Sequence, residues 1–144
     1  VPAQAGAKIR SAASCVLRIQ GGYHAALLPG DIGKAQEDAL VDRGLQRIDV
    51  VVAPHHGSVR SSTPDFVAAA GAQHVLVQAG LMNRYGHPAS QTVARWENAG
   101  AIVWRSDRDG AVTVHSRQNG LSVRAERQTR RRYWQHTMPH KDLQ

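Results

Sequence analysis

Only one cysteine, Cys15, occurs in the 144 residues. That excludes an internal disulfide framework and any thiolate zinc cluster, and it leaves the redox compartment open. No stretch reaches the ~18 apolar residues a membrane span needs, and the N-terminus carries no apolar core of a secretory signal. Aromatic residues make up 5%, and 11 acidic residues face 18 Lys and Arg. The resulting net charge of +7 favours polyanionic partners, either nucleic acid or an anionic membrane surface. No internal repeat is present. Cys15 itself lies in an apolar strand pattern and is expected to be a small core residue.

What the chain does have is an ordered alternation of short apolar runs and helical stretches, in a length that suits one domain or less. Residues 1–11 are small and polar without a period. Strands are expected over 14–20 and 23–28, joined by Gly21-Gly22 as a hairpin turn. A helix over 33–43 stops at Gly44. The β-branched run 48–53 reads as a buried strand. Thr63 as N-cap and Pro64 at the first helical position open a helix that ends near Gly71. Strand 74–78, a helix over 88–98 and strands 102–105, 111–115 and 121–125 complete the pattern. From Glu126 onward the chain is polar and basic, with a partial helix expected.

Chemistry-bearing residues collect where strands run out. Leu27-Leu28-Pro29-Gly30-Asp31-Ile32 ends one apolar run with a carboxylate. Val52-Ala53-Pro54-His55-His56-Gly57-Ser58 ends the next with two imidazoles. Asn83-Arg84-Tyr85-Gly86-His87-Pro88 follows the third. Loops after strand C-termini are where α/β sheets place ligands, and carboxylate plus imidazole is a hydrolytic metal's donor set. Asp31 reads as a bridging ligand, since one carboxylate can hold two cations about 3.5–4 Å apart, or as the N-cap of the following helix. On an extended loop His55 and His56 diverge, so one ligates while the other orients it or meets a phosphate. An exposed turn is the alternative for the pair. Gly57 lets the backbone approach a ligand, and Ser58 can donate a hydrogen bond. His87 either serves the site or starts the next helix, and Ser61-Ser62 read as loop and capping residues. His24, His74 and His115 fall in strand-like runs and read as structural, and His136 and His140 fall in the tail. Arg130-Arg131-Arg132-Tyr133-Trp134 reads either as a nucleic-acid tail, neutralising backbone and stacking bases, or as a solvated basic segment.

Taken in order, these motifs resemble the metallo-β-lactamase-like domain at the C-terminus of ComEC-type DNA-internalisation competence proteins. Ser14-Cys15-Val16-Leu17-Arg18 and Arg131-Arg132-Tyr133-Trp134 add to the likeness, which covers about residues 11–135. The resemblance implies an α/β fold, an αββα sandwich of which this chain supplies the C-terminal half only. Residues 1–125 would be the partial domain and 126–144 a basic tail. It implies Asp31, His55 and His56 as metal residues, and His55, His56 and His87 as catalytic ones. Ser58, Arg84, Tyr85 and His87 would bind phosphate, and Arg130, Arg131, Arg132 and Trp134 would form the nucleic-acid tail. The family's first metal motif, His-x-x-x-Asp-His, is absent here, and Ser11-Ala12-Ala13 stand where the family commonly has asparagine.

The activity implied is metal-dependent phosphodiester hydrolysis with zinc or manganese in a two-metal site, incomplete in this chain. Two alternatives stand beside it: a non-catalytic DNA-binding or gating module, and a small-molecule metallohydrolase of the same fold. The partners implied are single-stranded DNA, the remainder of a parent channel protein and a second copy through an exposed sheet surface. The parent would sit in the bacterial inner membrane with this domain on the extracytoplasmic side.

Overall fold

The computed structural model describes residues 14–130. Five strands form one sheet in sequential order: β1 (Leu17–Gln20), β2 (Ala25–Leu28), β3 (Val50–Val52), β4 (His74–Val77) and β5 (Ile102–Arg105). β1 and β2 are an antiparallel hairpin, as expected, but its turn takes four residues, Gly21 to His24, so Tyr23 and His24 lie in the turn and not in a strand; β2 through β5 are mutually parallel. The parallel crossovers run through α1 (Lys34–Asp42), α2 (Pro64–Ala70) and α3 (Ser90–Asn98). Every crossover steps to the next strand in the same direction, so a uniform right-handed connection lays all three helices on one face. α1 touches α2, and α2 touches α3.

The helix-facing side holds the core. Leu27, Val51, Val75 and Val103 form one cross-strand row, all buried. Phe66 and Trp96 pack edge to face across them at 6.1 Å. Thr63 caps α2 by accepting from Phe66 N, with Pro64 at the first position, as the sequence implies.

The opposite face is apolar as well. Register places Leu17, Leu28, Val52, Leu76 and Trp104 in one row, and Ile19, Ala26, Val50, His74 and Ile102 in another. Leu17, Ile19 and Ile102 are 54%, 49% and 55% exposed. A parallel strand is ordinarily covered on both faces, and this side lacks a helical layer among the described residues. Cys15 corrects its expected place in the core: it is exposed, because β1 is an edge strand whose four residues are all exposed.

After β5 the chain forms α4 (Ser106–Asp109), the separate hairpin β6 (Val112–Arg117) and β7 (Gly120–Ala125), then α5 (Glu126–Thr129). Ser116 Oγ meets His24 Nδ1 at 2.8 Å, and Arg127 donates to the carbonyls of Asp107 and Arg108. These bonds tie β6 to the β1–β2 turn and α5 to α4. α4 falls between the expected strands 102–105 and 111–115, where Asp109-Gly110 signals only a turn. It is held by the buried Asp109 carboxylate, which accepts from Arg105 N and from the Arg108 guanidinium.

Candidate metal and phosphate site

Asp31 and His56 meet because β2 and β3 are adjacent and parallel, with Leu27 beside Val51. Their following loops therefore emerge side by side, and His55 N donates to Gly30 O at 3.0 Å. Asp31 is not the cap of α1. Gly33 holds that position, its N–H donating to the Gln36 side chain, while Asp31 N donates to Ser14 Oγ. The Asp31 carboxylate is thus left exposed, with Oδ1 3.5 Å from His56 Nε2.

The His-His loop departs from the extended form expected of it. His55 and His56 both adopt left-handed conformations, φ 50° and 55°, within the short turn Pro54–Gly57. The rings nonetheless part company. His56 turns toward Asp31, and its Nδ1 lies 3.0 Å from Gln78 O. A carbonyl can only accept, so Nδ1 carries the proton and neutral His56 offers its Nε2 lone pair to Asp31. Two acceptors facing each other at that distance favour a cation or a proton between them. His55 instead turns toward His87, ring centroids 6.1 Å apart and edge on.

Ser14, Gly30, Asp31, Val52, Ala53, His56 and Gln78 line a cavity of about 300 Å³. Val52 belongs to the uncovered face of the sheet, so the cavity borders that face. Among the described residues no group of three or more His, Cys, Asp or Glu converges in a way that could hold a metal ion. Asp31 and His56 are two donors, which is short of the three protein ligands of a catalytic zinc site.

The remaining site residues fall into a second cluster. The Arg84 guanidinium lies over the Tyr85 ring at 4.9 Å, and Tyr85 stacks on His87 at 6.1 Å. Arg84, Tyr85, His87 and His55 so form a ladder. Asn83 braces it: its carbonyl oxygen accepts from His87 N and its amide donates to His87 O. His87 does not start α3, which begins two residues beyond Pro88, at Ser90. Burial and the charges of His55 and His56 push the His87 imidazole below its ordinary 6.5, and burial alone does so for His74. The folded protein therefore resists protonating them, and the unfolded chain takes up those protons first as pH falls. Stability should decline as pH drops below 6.5, and a proton NMR titration should give both midpoints below that value.

Ser58 is buried and turned inward. Its hydroxyl accepts from Arg60 N, and its carbonyl accepts from Ser61 Oγ and Thr92 Oγ1. Gly57 approaches Pro88 rather than a ligand: with φ at 76°, an added Cβ would fall 2.7 Å from Pro88 Cβ. Gly57→Ala should therefore cost about 2 kcal/mol or more through combined backbone strain and overpacking, read by thermal denaturation. Arg130 is exposed, with Nε 3.8 Å from Glu126. Arg131, Arg132 and Trp134 lie outside the described residues, as do His136 and His140.

Sequence reasoning missed Glu37. Its carboxylate is fully buried in α1 and accepts from Ser62 N at 2.6 Å and Thr63 N at 2.8 Å. Arg95 donates to the carbonyls of Ser61 and Ser62, and Ser61 Oγ donates to Pro54 O at 2.8 Å. The loop after His55-His56 is thus fastened from α1 and α3 together. An acidic residue in the first turn of a helix gives no linear signal of this.

No protein-family model matches the chain. Curated relatives do. The chain is 34% identical to Competence protein ComA of Neisseria gonorrhoeae over 124 residues, which is 85% of this chain and 18% of that protein. It is 28% identical to ComE operon protein 3 of Bacillus subtilis, covering 69% of this chain and 13% of that one. Recombination protein 2 of Haemophilus influenzae is 26% identical over 79% of this chain and 14% of its own length. The chain spans less than a fifth of each of these relatives. It is a homologue of one segment of each of these proteins.

Proposed function

We propose that this chain is the second half of an αββα metallo-β-lactamase-like domain in a DNA-uptake channel protein, and that the complete domain hydrolyses phosphodiester bonds. The observation that carries this reading is the Asp31–His56 pair: a carboxylate and an imidazole able to ligate a metal, ring tautomer set by Gln78, at the rim of an apolar sheet face without a second layer among the described residues. A preceding segment that covered that face would bring its own donors to the same rim and raise the count beyond two. Zinc and manganese both suit carboxylate and imidazole ligands. A metal pair held there would supply an activated water and neutralise charge on the phosphoryl oxygens.

This chain's own residues would do the rest. Asp31 and His56 contribute ligands. The exposed Arg84 guanidinium, pre-oriented by Tyr85, binds a non-bridging phosphate oxygen, and its planar fork suits that task. His87, neutral at pH 7 and braced by Asn83, donates a hydrogen bond to phosphate or leaving oxygen. His55 orients His87 across the ring edge. Ser58, facing inward, shapes the loop, and the substrate contact first expected of it passes to Arg84. Single-stranded DNA is the substrate that the +7 charge and the competence-protein relatives favour. A parent protein in the bacterial inner membrane is part of the same proposal. No helix among the described residues is long and apolar enough to cross a membrane.

The test is cleavage of end-labelled single-stranded DNA with manganese or zinc, by a protein extended upstream through the missing layer. Metal-dependent cutting is the expected result. Binding without cutting under any divalent metal would sink the nuclease reading and leave the non-catalytic DNA-binding module. That second reading is favoured by the want of a three-donor group among the described residues.

A further inference from the structure

A second groove lies at the opposite end of the sheet, where β2, β3 and β4 begin, whereas Asp31 and His56 follow the ends of β2 and β3. It is lined by Arg18, Gln20, Tyr23, Arg47, Asp49 and Gln73, among others, and encloses about 490 Å³. We propose that it is a contact site for the phosphodiester backbone of single-stranded nucleic acid, separate from the Asp31–His56 site. The proposal rests on the DNA-handling part of the reading above and not on its hydrolytic part.

Four features carry it. Arg18 and Arg47 both reach this groove, and neither makes an ion pair among the described residues; Arg18 donates only to the Gln20 side chain. The one carboxylate in the lining is already occupied. Asp49 Oδ2 accepts from Ala25 N at 2.7 Å and Oδ1 accepts from Gln73 Nε2 at 3.2 Å, so it pairs with neither guanidinium, and two guanidiniums against one carboxylate leave the lining net positive. Arg47 stands at φ 54°, a left-handed conformation that a long side chain adopts only when its surroundings hold it there.

The fourth feature is Tyr23. Its ring is 59% exposed, on a turn fixed by Gly21 N to His24 O and by His24 to Ser116. A rigid, exposed ring beside two guanidiniums that make no ion pair among the described residues matches the way single strands are held, with phosphates on guanidiniums and a base on an aromatic face. Duplex DNA offers no unstacked base to that ring. A second anchor would hold a strand at both ends of the sheet.

The experiment is fluorescence anisotropy of a labelled oligothymidylate against the upstream-extended protein, in EDTA and over a range of salt. Arg18→Gln, Arg47→Asn and the pair are compared with Arg84→Gln. Asparagine tolerates the left-handed backbone at position 47, and circular dichroism checks that each variant is folded. Two lost phosphate contacts should lower the salt slope by about 1.4 and weaken binding roughly tenfold near 0.1 M salt. Tyr23→Ala should weaken binding with the slope unchanged. An unchanged slope in the double variant, while Arg84→Gln lowers it, overturns the second site and leaves the first. Failure of the parent protein to bind overturns the site too. Because no metal is present, none of these readings depends on whether the protein cuts DNA.

Discussion

Asp31→Asn is expected to abolish metal-dependent cleavage in the upstream-extended protein while leaving its fold intact. The carboxylate is exposed, caps no helix, and faces His56 alone among the described residues. Asparagine keeps its shape and its backbone N–H bond to Ser14 and removes only the negative charge. Stability should therefore shift by less than about 0.5 kcal/mol, as for a surface change away from any special feature. Activity should not survive so well. Loss of a residue that merely orients a ligand typically costs 10–100-fold in metal affinity or turnover, so loss of a ligand that bridges two cations should cost at least about a hundredfold. Cleavage rate against manganese concentration separates the possibilities. A rate that recovers at high manganese marks a weakened ligand, and one that never recovers marks a lost bridge. An unchanged rate at every concentration would remove Asp31 from the site.

His56→Ala belongs to the same measurement. It should mimic Asp31→Asn, whereas His55→Ala should spare metal affinity and slow turnover through His87. The pair could not be divided in sequence, because the expected extended loop gave only divergence and no direction. Two consecutive left-handed residues turn one ring to Asp31 and the other to His87.

The frame of the molecule was readable because each element carries its own local chemistry. The Gly21-Gly22 hairpin, the Thr63-Pro64 helix start and β5 over 102–105 all lie where propensity and turn residues put them. So does the approach of the Gly-Asp and His-His loops, which needs only that neighbouring parallel strands end at one edge. Long-range terms account for what was illegible. Cys15 sits in an apolar run that proves to be an exposed edge, a property of sheet order and not of the run. Gly57 looks like room for a ligand until Pro88, 31 positions on, occupies that space. α4 reads as a turn because its support is a buried aspartate bonded to the strand before it.

Glu37 is the sharpest such case, and its replacement should be among the most damaging single changes to stability. The carboxylate bonds to residues 25 and 26 positions away, and it is the acceptor for two consecutive backbone donors, Ser62 and Thr63. Ser62 stands at φ 56° and its own buried hydroxyl has no partner among the described residues, so this loop holds no spare acceptor for the two donors. Glu37→Ala strands both donors, each costing about 1–3 kcal/mol when left unmet, and opens a cavity in addition. About 4 kcal/mol is expected, which for a domain of this size lowers Tm by roughly 15 °C. Glu37→Gln keeps one acceptor oxygen and presents an amide N–H to the second donor, so it should lose roughly half as much. Equal losses in the two variants would mean that packing, and not hydrogen bonding, holds this position. Because Ser61 links the same loop to Pro54 O, just before the two histidines, a loosened loop should also disturb the His56 ring. Its Nδ1 proton resonance, held against Gln78 O in the parent protein, should broaden in Glu37→Gln at temperatures well below unfolding. In Ile48→Ala, a buried core change of comparable cost at the opposite end of β3 from that loop, the resonance should stay sharp.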